Sequence, residues 1–554
     1  IPNLGQARFR LPFMKRSFPW FLGGKRFKST SHPIVPGIIS VMILMFSLIF
    51  ALLSQMGEIT PLFGPSSHIN TITTESGQIL FTVNGFSRLI EMIAFASLLI
   101  AAVASFSTMS PTDPELIPQT ERQSIGAEKE RVNKLMNNRR QVDLHLLFLL
   151  TAIGMSVVAL SSNLFVFFLG LELASISMYI LVAFHKENIS STEAGAKYFI
   201  VGAVASAVSL YGISLLYLWS GDLSFSALKQ EWQSETPDIL AILGMVMLIG
   251  GLGFKVSAAP FHFAAPDAYA GASAPIAGIL ATASKTIGFV GMSRILLGIT
   301  IPQDLSTGAL WLICVAVLAV ITMTWGNLAA LSSNNPKRML AYSSVAHAGY
   351  MLAALAAVGA ARTGDIIGTK SEAQLVMTAV LFHLAVLITF KIGAFLVIAL
   401  LEIQGEGTHI DDFRGLGRRE PIIAVSMFIF MLALAGVPPL SGFVSKLLMV
   451  LGIVQIGTGD FIAGETALSI AAGGLNWVFW LAMAVFINSA MSLYYYLRIG
   501  VIMFHDEARE KKLLPEAIPL RSLILLCTAG TIVIGIYPNV LLEFAKTAAS
   551  QFLG

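Results

Sequence analysis

The sequence predicts an all-α polytopic membrane protein with about thirteen transmembrane helices. Of its 554 residues, 55% are hydrophobic and 12% charged, whereas ordinary globular domains carry roughly 25% charged residues. Apolar runs recur from residue 34 almost to the C-terminus, each long enough to cross about 30 Å of hydrocarbon, which takes roughly 20 residues. The Lys and Arg between these runs fall mostly on one side of the membrane, and no soluble domain of useful size fits between them.

Spans are predicted at 34–55, 84–107, 143–161, 163–184, 193–219, 238–264, 275–298, 308–331, 337–359, 372–402, 421–457, 473–504 and 518–541. A basic arm, 1–33, precedes the first; two accessory helices fill 34–107, and a long charged loop, 108–142, follows them. The sixth span is disturbed by Pro260 and runs into the turn-rich Pro266-Asp267-Ala268-Tyr269-Ala270-Gly271. The eleventh is too long for one plain helix and contains Val437-Pro438-Pro439-Leu440-Ser441-Gly442. Those prolines remove backbone donors and free carbonyls in mid-membrane, so a broken helix is expected there.

Alternating sides from the N-terminus places the basic arm, Arg122 to Arg140, Lys186, Lys337, Arg338, Arg414 to Arg419, Arg498 and Arg509 to Arg521 together. The opposite side holds Lys229, Arg362, Lys370 and Lys546. By the positive-inside rule the N-terminus faces the cytoplasm or matrix and the C-terminus faces outward, which an even number of crossings would have scrambled. The first 57 residues contain no acid, and Arg8-Phe9-Arg10 and Lys25-Arg26-Phe27-Lys28 lie in a stretch beginning with Ile1. That composition resembles the remainder of a mitochondrial presequence, favouring the mitochondrial inner membrane; a basic inside-facing arm in a bacterial plasma membrane gives the same charge bias.

A formal charge of +3, scattered along the chain, gives no nucleic-acid surface. Two cysteines, Cys314 and Cys527, in separate apolar segments build neither a disulfide framework nor an iron–sulfur or zinc ligand set. No Gly-rich loop opens a helix after a strand, so nucleotide binding is not expected.

Seven basic residues remain inside the predicted spans: Arg88, Lys197, Lys255, Lys285, Arg294, Lys391 and Lys446. A charge near the bilayer centre costs at least about 2.5 kcal/mol on insertion scales, so several of them imply an internal polar route or compensating partners. Arg88 is expected to pair locally with Glu91, three residues on, and Arg294 to snorkel to the outer interface. Glu172 lies about 14 Å into its span, close to the midplane. Lys285 is equally deep, Lys255 falls just before Pro260, and Lys446 just after Pro438-Pro439. Each half of the chain thus carries a Pro-interrupted span with a lysine beside the break, the pattern of repeated transporter halves.

Such residues suit proton relay. Burial weakens a lysine's hold on its proton and a nearby carboxylate restores it, so a Glu172 that approaches or leaves a lysine is a switch. His262 and His347 are candidate intermediates because imidazole titrates near physiological pH; a buried histidine that is merely hydrogen-bonded is the plain alternative.

The stretch Phe168-Leu169-Gly170-Leu171-Glu172-Leu173, followed by Ser191-Thr192-Glu193-Ala194-Gly195-Ala196-Lys197-Tyr198-Phe199, closely resembles the subunit N (mitochondrial subunit 2) family of respiratory complex I. The likeness continues through Gly253-Phe254-Lys255, Pro260-Phe261-His262, Ala283-Ser284-Lys285, Ala346-His347-Ala348-Gly349-Tyr350, Gly442-Phe443 to Lys446 and Leu493-Tyr494-Tyr495-Tyr496-Leu497-Arg498, covering roughly residues 84 to 541. It implies an antiporter-like fold with two inverted five-helix repeats, at 143–298 and 308–504, and a closing helix at 518–541. It also implies a place in the membrane arm of a multisubunit enzyme, beside a neighbouring antiporter-like subunit, small membrane subunits and lipid.

The resemblance assigns Glu172 as the carboxylate modulating Lys255, Lys285 as the connecting central lysine, and Lys446 as the residue near the outward exit. Lys197 and His262 match further positions on the polar axis, and His347 a histidine of the second half. NADH oxidation and quinone reduction would occur on other subunits, which would carry FMN and the iron–sulfur clusters; no cofactor is expected in this chain.

Two departures stand out. Bacterial members usually have fourteen crossings, and the first has no counterpart before residue 34. Lys391 stands where an uncharged residue is usual in this subunit; it resembles a lysine of the sister antiporter-like subunits, which implies a part in the proton path. The loop at 109–142 reads as solvated linker or as a contact for a peripheral subunit. The rival functions are a multisubunit cation/proton antiporter and a hydrogenase- or F420-linked relative, whose electron donors bind elsewhere.

Overall fold

The computed structural model describes residues 8–9, 18–19, 35–55, 70–73, 79–108, 127–185, 188–234, 237–300, 305–362, 370–458, 476–507 and 514–554. Most of the basic arm and the loop residues 109–126 lie outside them. In chain order the helices are α1 (Val35–Gln55), α2 (Gly85–Thr108), α3 (Ala127–Leu160), α4 (Leu164–Val182), α5 (Ile189–Ser220), α6 (Phe225–Ser234) and α7 (Ile239–Val256). Then come α8 (Ala264–Gly271), α9 (Ala274–Ala281), α10 (Ala283–Ser293), α11 (Leu305–Ser332), α12 (Pro336–Arg362), α13 (Lys370–Leu387) and α14 (Gly393–Glu402). The last are α15 (Leu416–Arg419), α16 (Pro421–Ala435), α17 (Ser441–Thr458), α18 (Trp477–His505), α19 (Ile518–Ile536) and α20 (Asn539–Leu553).

Among the described residues, thirteen helical spans are long and apolar enough to cross a membrane, one for each span read from the sequence. Local chemistry sets several starts. The side chains of Asn163, Asn188, Asp238 and Asn476 accept from backbone N–H groups at the first turns of α4, α5, α7 and α18, satisfying donors a helix cannot. Both breaks are present. Chain 257–263 separates α7 from α8, and 436–440 separates α16 from the eleventh membrane-length helix, α17. The peptides Ala259–Pro260 and Pro438–Pro439 are cis.

Some local expectations are corrected. Two short antiparallel pairs, Arg8–Phe9 with Phe18–Pro19 and Asn70–Thr73 with Ile79–Val83, interrupt the otherwise helical chain. Residues 127–142, read as loop, continue α3. The last span stops at Ile536, and α20 follows as a separate amphipathic helix whose Ala545, Ala548 and Ala549 are buried. It lies across the start of α2, where Phe552 stacks on Phe86 at 4.5 Å and the Gly85 N–H donates to Gln551.

The centre of the bundle is built from the spans 274–299, 336–362 and 371–402, whose apolar stretches are almost wholly buried. The peripheral α1 turns Ile39, Met42, Phe46 and Phe50 outward, as a lipid-facing helix does. Small residues let the central helices close up: a Cβ on Gly349 would meet Met323 N at 2.5 Å, and one on Gly326 would meet Ala346 N at 2.6 Å, so α11 and α12 touch backbone to backbone.

Candidate proton-transfer axis

The first half of the axis hangs from α4. One face of that helix presents Glu172, Ser175 and Tyr179, spaced three and four residues apart, so all three point the same way. The Glu172 carboxylate accepts from Ser206 of α5 at 2.6 Å. Lys255, in the last turn of α7, donates to Ser175 Oγ at 2.5 Å and to Tyr179 OH at 2.9 Å. The Glu172 carboxylate and the Lys255 ammonium, both at this face of α4, thus hold separate partners. Beyond the α7 break the freed Ala259 N–H is taken by Thr322 Oγ1 at 3.1 Å, the replacement acceptor that broken membrane helices need.

A cavity of about 10 Å³, room for about one water molecule, is lined by Lys255, Ser257, Tyr198, Tyr269 and Ser284, the last next in sequence to Lys285. Lys285, adjacent to Ser284 and 1% exposed, donates to the Ser344 carbonyl of α12. The neighbouring Ser343 receives Lys391 Nζ at 3.4 Å. Lys391 is fully buried and sits in a single π-type turn, Ile388–Ile392, between α13 and α14. Such turns insert one residue and re-aim the side chains around them.

From Ser343 the chain of contacts runs on through side chains alone. Ser343 Oγ and Tyr496 OH are 2.5 Å apart, and Tyr496 OH lies 3.4 Å from His347 Nε2. His347 Nδ1 meets His383 Nε2 at 2.9 Å with the rings nearly parallel, and His383 Nδ1 meets Ser445 Oγ at 2.8 Å. Lys446, next to Ser445, donates to the Leu434 and Ala435 carbonyls at 2.8 and 3.3 Å and to Ser489 Oγ at 3.1 Å. Those carbonyls are the ones the Pro438-Pro439 break leaves without intrahelical donors, so break and lysine satisfy each other. Lys446, His383, Tyr350 and Ser489 also line a cavity of about 230 Å³. A buried cluster braces that end: Asn327 bonds Tyr350, Tyr495 and Asn488, and Asn488 precedes Ser489.

Of the residues singled out in the sequence, Glu172, Lys255, Lys285, His347, Lys391 and Lys446 are brought onto this line. Lys197 is not. It is half exposed near the start of α5, within 2.7 Å of Glu193 and 3.2 Å of Asp267, whose other oxygen holds Arg338 at 2.5 Å. Lys197 thus lies within the membrane-length span 189–220 but on its exposed face, in an ion cluster apart from the buried lysines. His262 is buried against Phe263 and Trp325, and its Nδ1 has no hydrogen-bond partner.

Arg88 and Glu91 attract each other, as expected, and each also takes a partner on another helix: Arg88 donates to the Ser54 carbonyl at 2.7 Å and Glu91 accepts from Ser156. One structural charge is corrected. Arg294 turns inward and donates to the carbonyls of Val158 and Ala159 at 2.8 and 2.6 Å, capping the C-terminal end of α3, where a cation is favoured. Sequence reading missed His383, Tyr496, Tyr179 and Ser206. The first carried a signal, since a histidine midway through the 372–402 span is as unusual in a membrane as a lysine.

Residues 161–470 match the NADH:quinone oxidoreductase/Mrp antiporter transmembrane family. The chain is 36% identical over 411 residues to NADH-quinone oxidoreductase subunit N of Trichlorobacter lovleyi, covering 73% of this chain and 76% of that protein. It is 31% identical over 524 residues to F(420)H(2) dehydrogenase subunit N of Methanosarcina mazei, covering 90% and 92%. A chain of respiratory complex I from Thermus thermophilus, solved with bound aureothin, superposes with a TM-score of 0.66 at 25% identity, covering 94% of this chain and 95% of that one. With the broken helices and the buried lysine line already in place, these likenesses show that the chain belongs to the NADH:quinone oxidoreductase/Mrp antiporter family of antiporter-like membrane subunits, among the subunit N proteins.

Proposed function

We propose that this chain is a membrane-arm proton-translocating subunit of a complex I type NADH:quinone oxidoreductase, moving protons along Glu172, Lys255, Lys285, Lys391, His347 and Lys446. One observation carries the reading: Lys285 and Lys391 are buried and bond adjacent residues of α12, Lys446 is half-buried beside the second break, and no ion pair to any of the three is present among the described residues. Stability alone disfavours such an arrangement, since burying even one unpaired ammonium is costly. Proton transfer needs it, because lysines that lose and regain a proton easily are stations for it. Glu172 supplies the switch, held by Ser206 in one position and within reach of Lys255 in another.

Electron transfer belongs to partner subunits, which hold FMN, the iron–sulfur clusters and quinone, and this chain contributes no redox centre. Its own partners are the neighbouring membrane-arm subunits and lipid. The basic loops orient the N-terminal side toward the cytoplasm or matrix, in a bacterial plasma membrane or a mitochondrial inner membrane. The 31% identity to an F(420)H(2) dehydrogenase subunit over 92% of its length favours one second reading: the same proton-moving role beside a different electron-input module.

The test is Lys255→Ala and Glu172→Ala in the assembled complex, measured for coupled turnover and proton movement. Each variant is expected to impair both. Unchanged turnover and stoichiometry in the two variants would remove the assignment.

A further inference from the structure

Resting on the proton-translocating reading, we propose that Glu402 and Lys337 are positioning residues, whose ion pair fixes the register of the three central spans and so holds Lys285 and Lys391 against α12. Lys337 stands at the start of α12 and Glu402 closes α14, both on the side of the basic loops. Lys337 Nζ donates to Glu402 Oε1 at 2.6 Å and to the Ala272 carbonyl at 2.8 Å. Glu402 Oε2 accepts from the Ala274 N–H at 3.0 Å. Both carboxylate oxygens are therefore in use, one for α12 and one for the first residue of α9. The two side chains are 7% and 23% exposed.

Local chemistry calls for a tie at this place. Ser273 precedes α9 without capping it, and Pro275 has no N–H, so Ala274 carries a donor that the helix start leaves open. Glu402 supplies the acceptor from a distant span, and its charge suits the positive end of a helix. Lys337 goes against the same preference. A cation in the first turn opposes the helix dipole, yet Lys337 and Arg338 both stand in the first turn of α12. Each reaches across to the junction of α8 and α9, Arg338 to Asp267 and Lys337 to the Ala272 carbonyl. The start of α12 thus grips that junction at two points.

The spans joined by the pair are the three that meet at the deep lysines. Lys285 lies eleven residues beyond Ala274 and Lys391 eleven before Glu402, while their partners on α12, Ser344 and Ser343, lie seven and six beyond Lys337. At 1.5 Å per residue, both lysines stand about 16 Å and both serines about 10 Å along their spans from one shared tie. The Lys391 contact to Ser343, at 3.4 Å, has no slack: moving α12 away by about half an ångström takes it out of hydrogen-bond range. A buried ion pair adds little net stability, and fixing register is its best-attested use.

The test counts protons moved per electron pair by the assembled complex, reconstituted in vesicles and driven by NADH and quinone. Glu402→Gln keeps the size of the side chain but offers one acceptor oxygen where two are used, so it should lower the ratio. Lys337→Met should do the same. Neither loss should exceed that of Lys285→Ala, and E402Q added to K285A should lower the ratio no further, because both variants act on one path. Glu406→Gln is the control. It breaks a comparably buried pair, Glu406 with Arg419 at 2.9 Å, inside the loop that follows α14, and should leave the ratio unchanged.

A normal ratio in E402Q and K337M beside a lowered one in K285A overturns the positioning role and leaves proton translocation standing; a normal ratio in K285A removes both. Less assembled complex at an unchanged ratio would make the pair a packing contact alone. An equal fall in E406Q, or a further fall when E402Q is added to K285A, would place the effect outside the lysine path and overturn the role as well. If K337M fails to assemble, the isosteric E402Q decides the matter alone.

Discussion

At the scale of single residues, the cost of charge in the core identifies what the chain is for. Lys391 is fully buried with a long contact to Ser343 as its hydrogen bond. A methionine of similar length would fill the same space without an ammonium to desolvate. Lys391→Met is therefore expected to stabilise the assembled complex, by an amount on the order of 1 to 4 kcal/mol as when buried ion pairs are replaced by apolar groups, and so to raise its thermal midpoint. The same variant should lower coupled turnover, and a gain in stability with full activity would make Lys391 a tolerated accident. The lysines were legible in the sequence because Lys and Arg inside apolar runs are conspicuous. The groups that join them were not, because Ser175 and Tyr179 on α4, Ser343 on α12 and Tyr496 on α18 are ordinary residues in a membrane helix until packing brings them to the lysines. Lys197 shows what composition leaves out: hydropathy puts it in a span, but its ion pair with Asp267 is set by the packing of α5 against α8.

At the scale of elements, the breaks position the chemistry. Gly436 ends α16 in a left-handed conformation, φ +84°, and a Cβ there would come within 3.0 Å of Lys446 Cδ. Gly436→Ala combines backbone strain of roughly 1 to 2 kcal/mol with a push on the lysine stem. It should therefore lower both stability and turnover, whereas Ala substitution at the exposed Gly405, also left-handed with open space around it, should cost stability alone. Equal activities in the two variants would contradict the coupling of break and lysine. Pro260 and Pro438-Pro439 announce their breaks in the sequence through the missing N–H groups. The π-type turns at Ile388–Ile392 and Arg294–Ile299 do not, since a one-residue slip in hydrogen-bond register changes no composition. The same holds for α20, where helix and interface follow Ile536 with too little apolar length to be read as a span.

At the scale of the whole molecule, the polar faces tie the bundle together and titrate separately from its core. Arg521 grips both oxygens of Glu420 at 3.0 and 2.8 Å, joining α19 to the start of α16. The Arg521 hydrogen bonds, opposed in part by desolvation, hold the Glu420 carboxyl below its ordinary value. The stabilisation is therefore present above the unfolded carboxyl pKa of about 4.3 and is lost as pH falls through the lower folded value. Arg521→Met should reduce heat stability at neutral pH, and the difference from wild type should shrink in strong acid to what the Arg521 bonds to the Leu514 and Pro515 carbonyls contribute; a difference that pH does not change would exclude the Glu420 pair as a source of it.

The thirteen crossings and the two broken helices were legible because apolar length and proline are local properties. The path between the halves is set by packing across distant parts of the chain. The most direct measurement is the number of protons moved per electron pair by the reconstituted complex carrying Lys285→Ala, the lysine that joins the two halves. A ratio below wild type, with the other subunits present in full, is the outcome the lysine axis requires; an unchanged ratio would mean that protons do not pass through this chain.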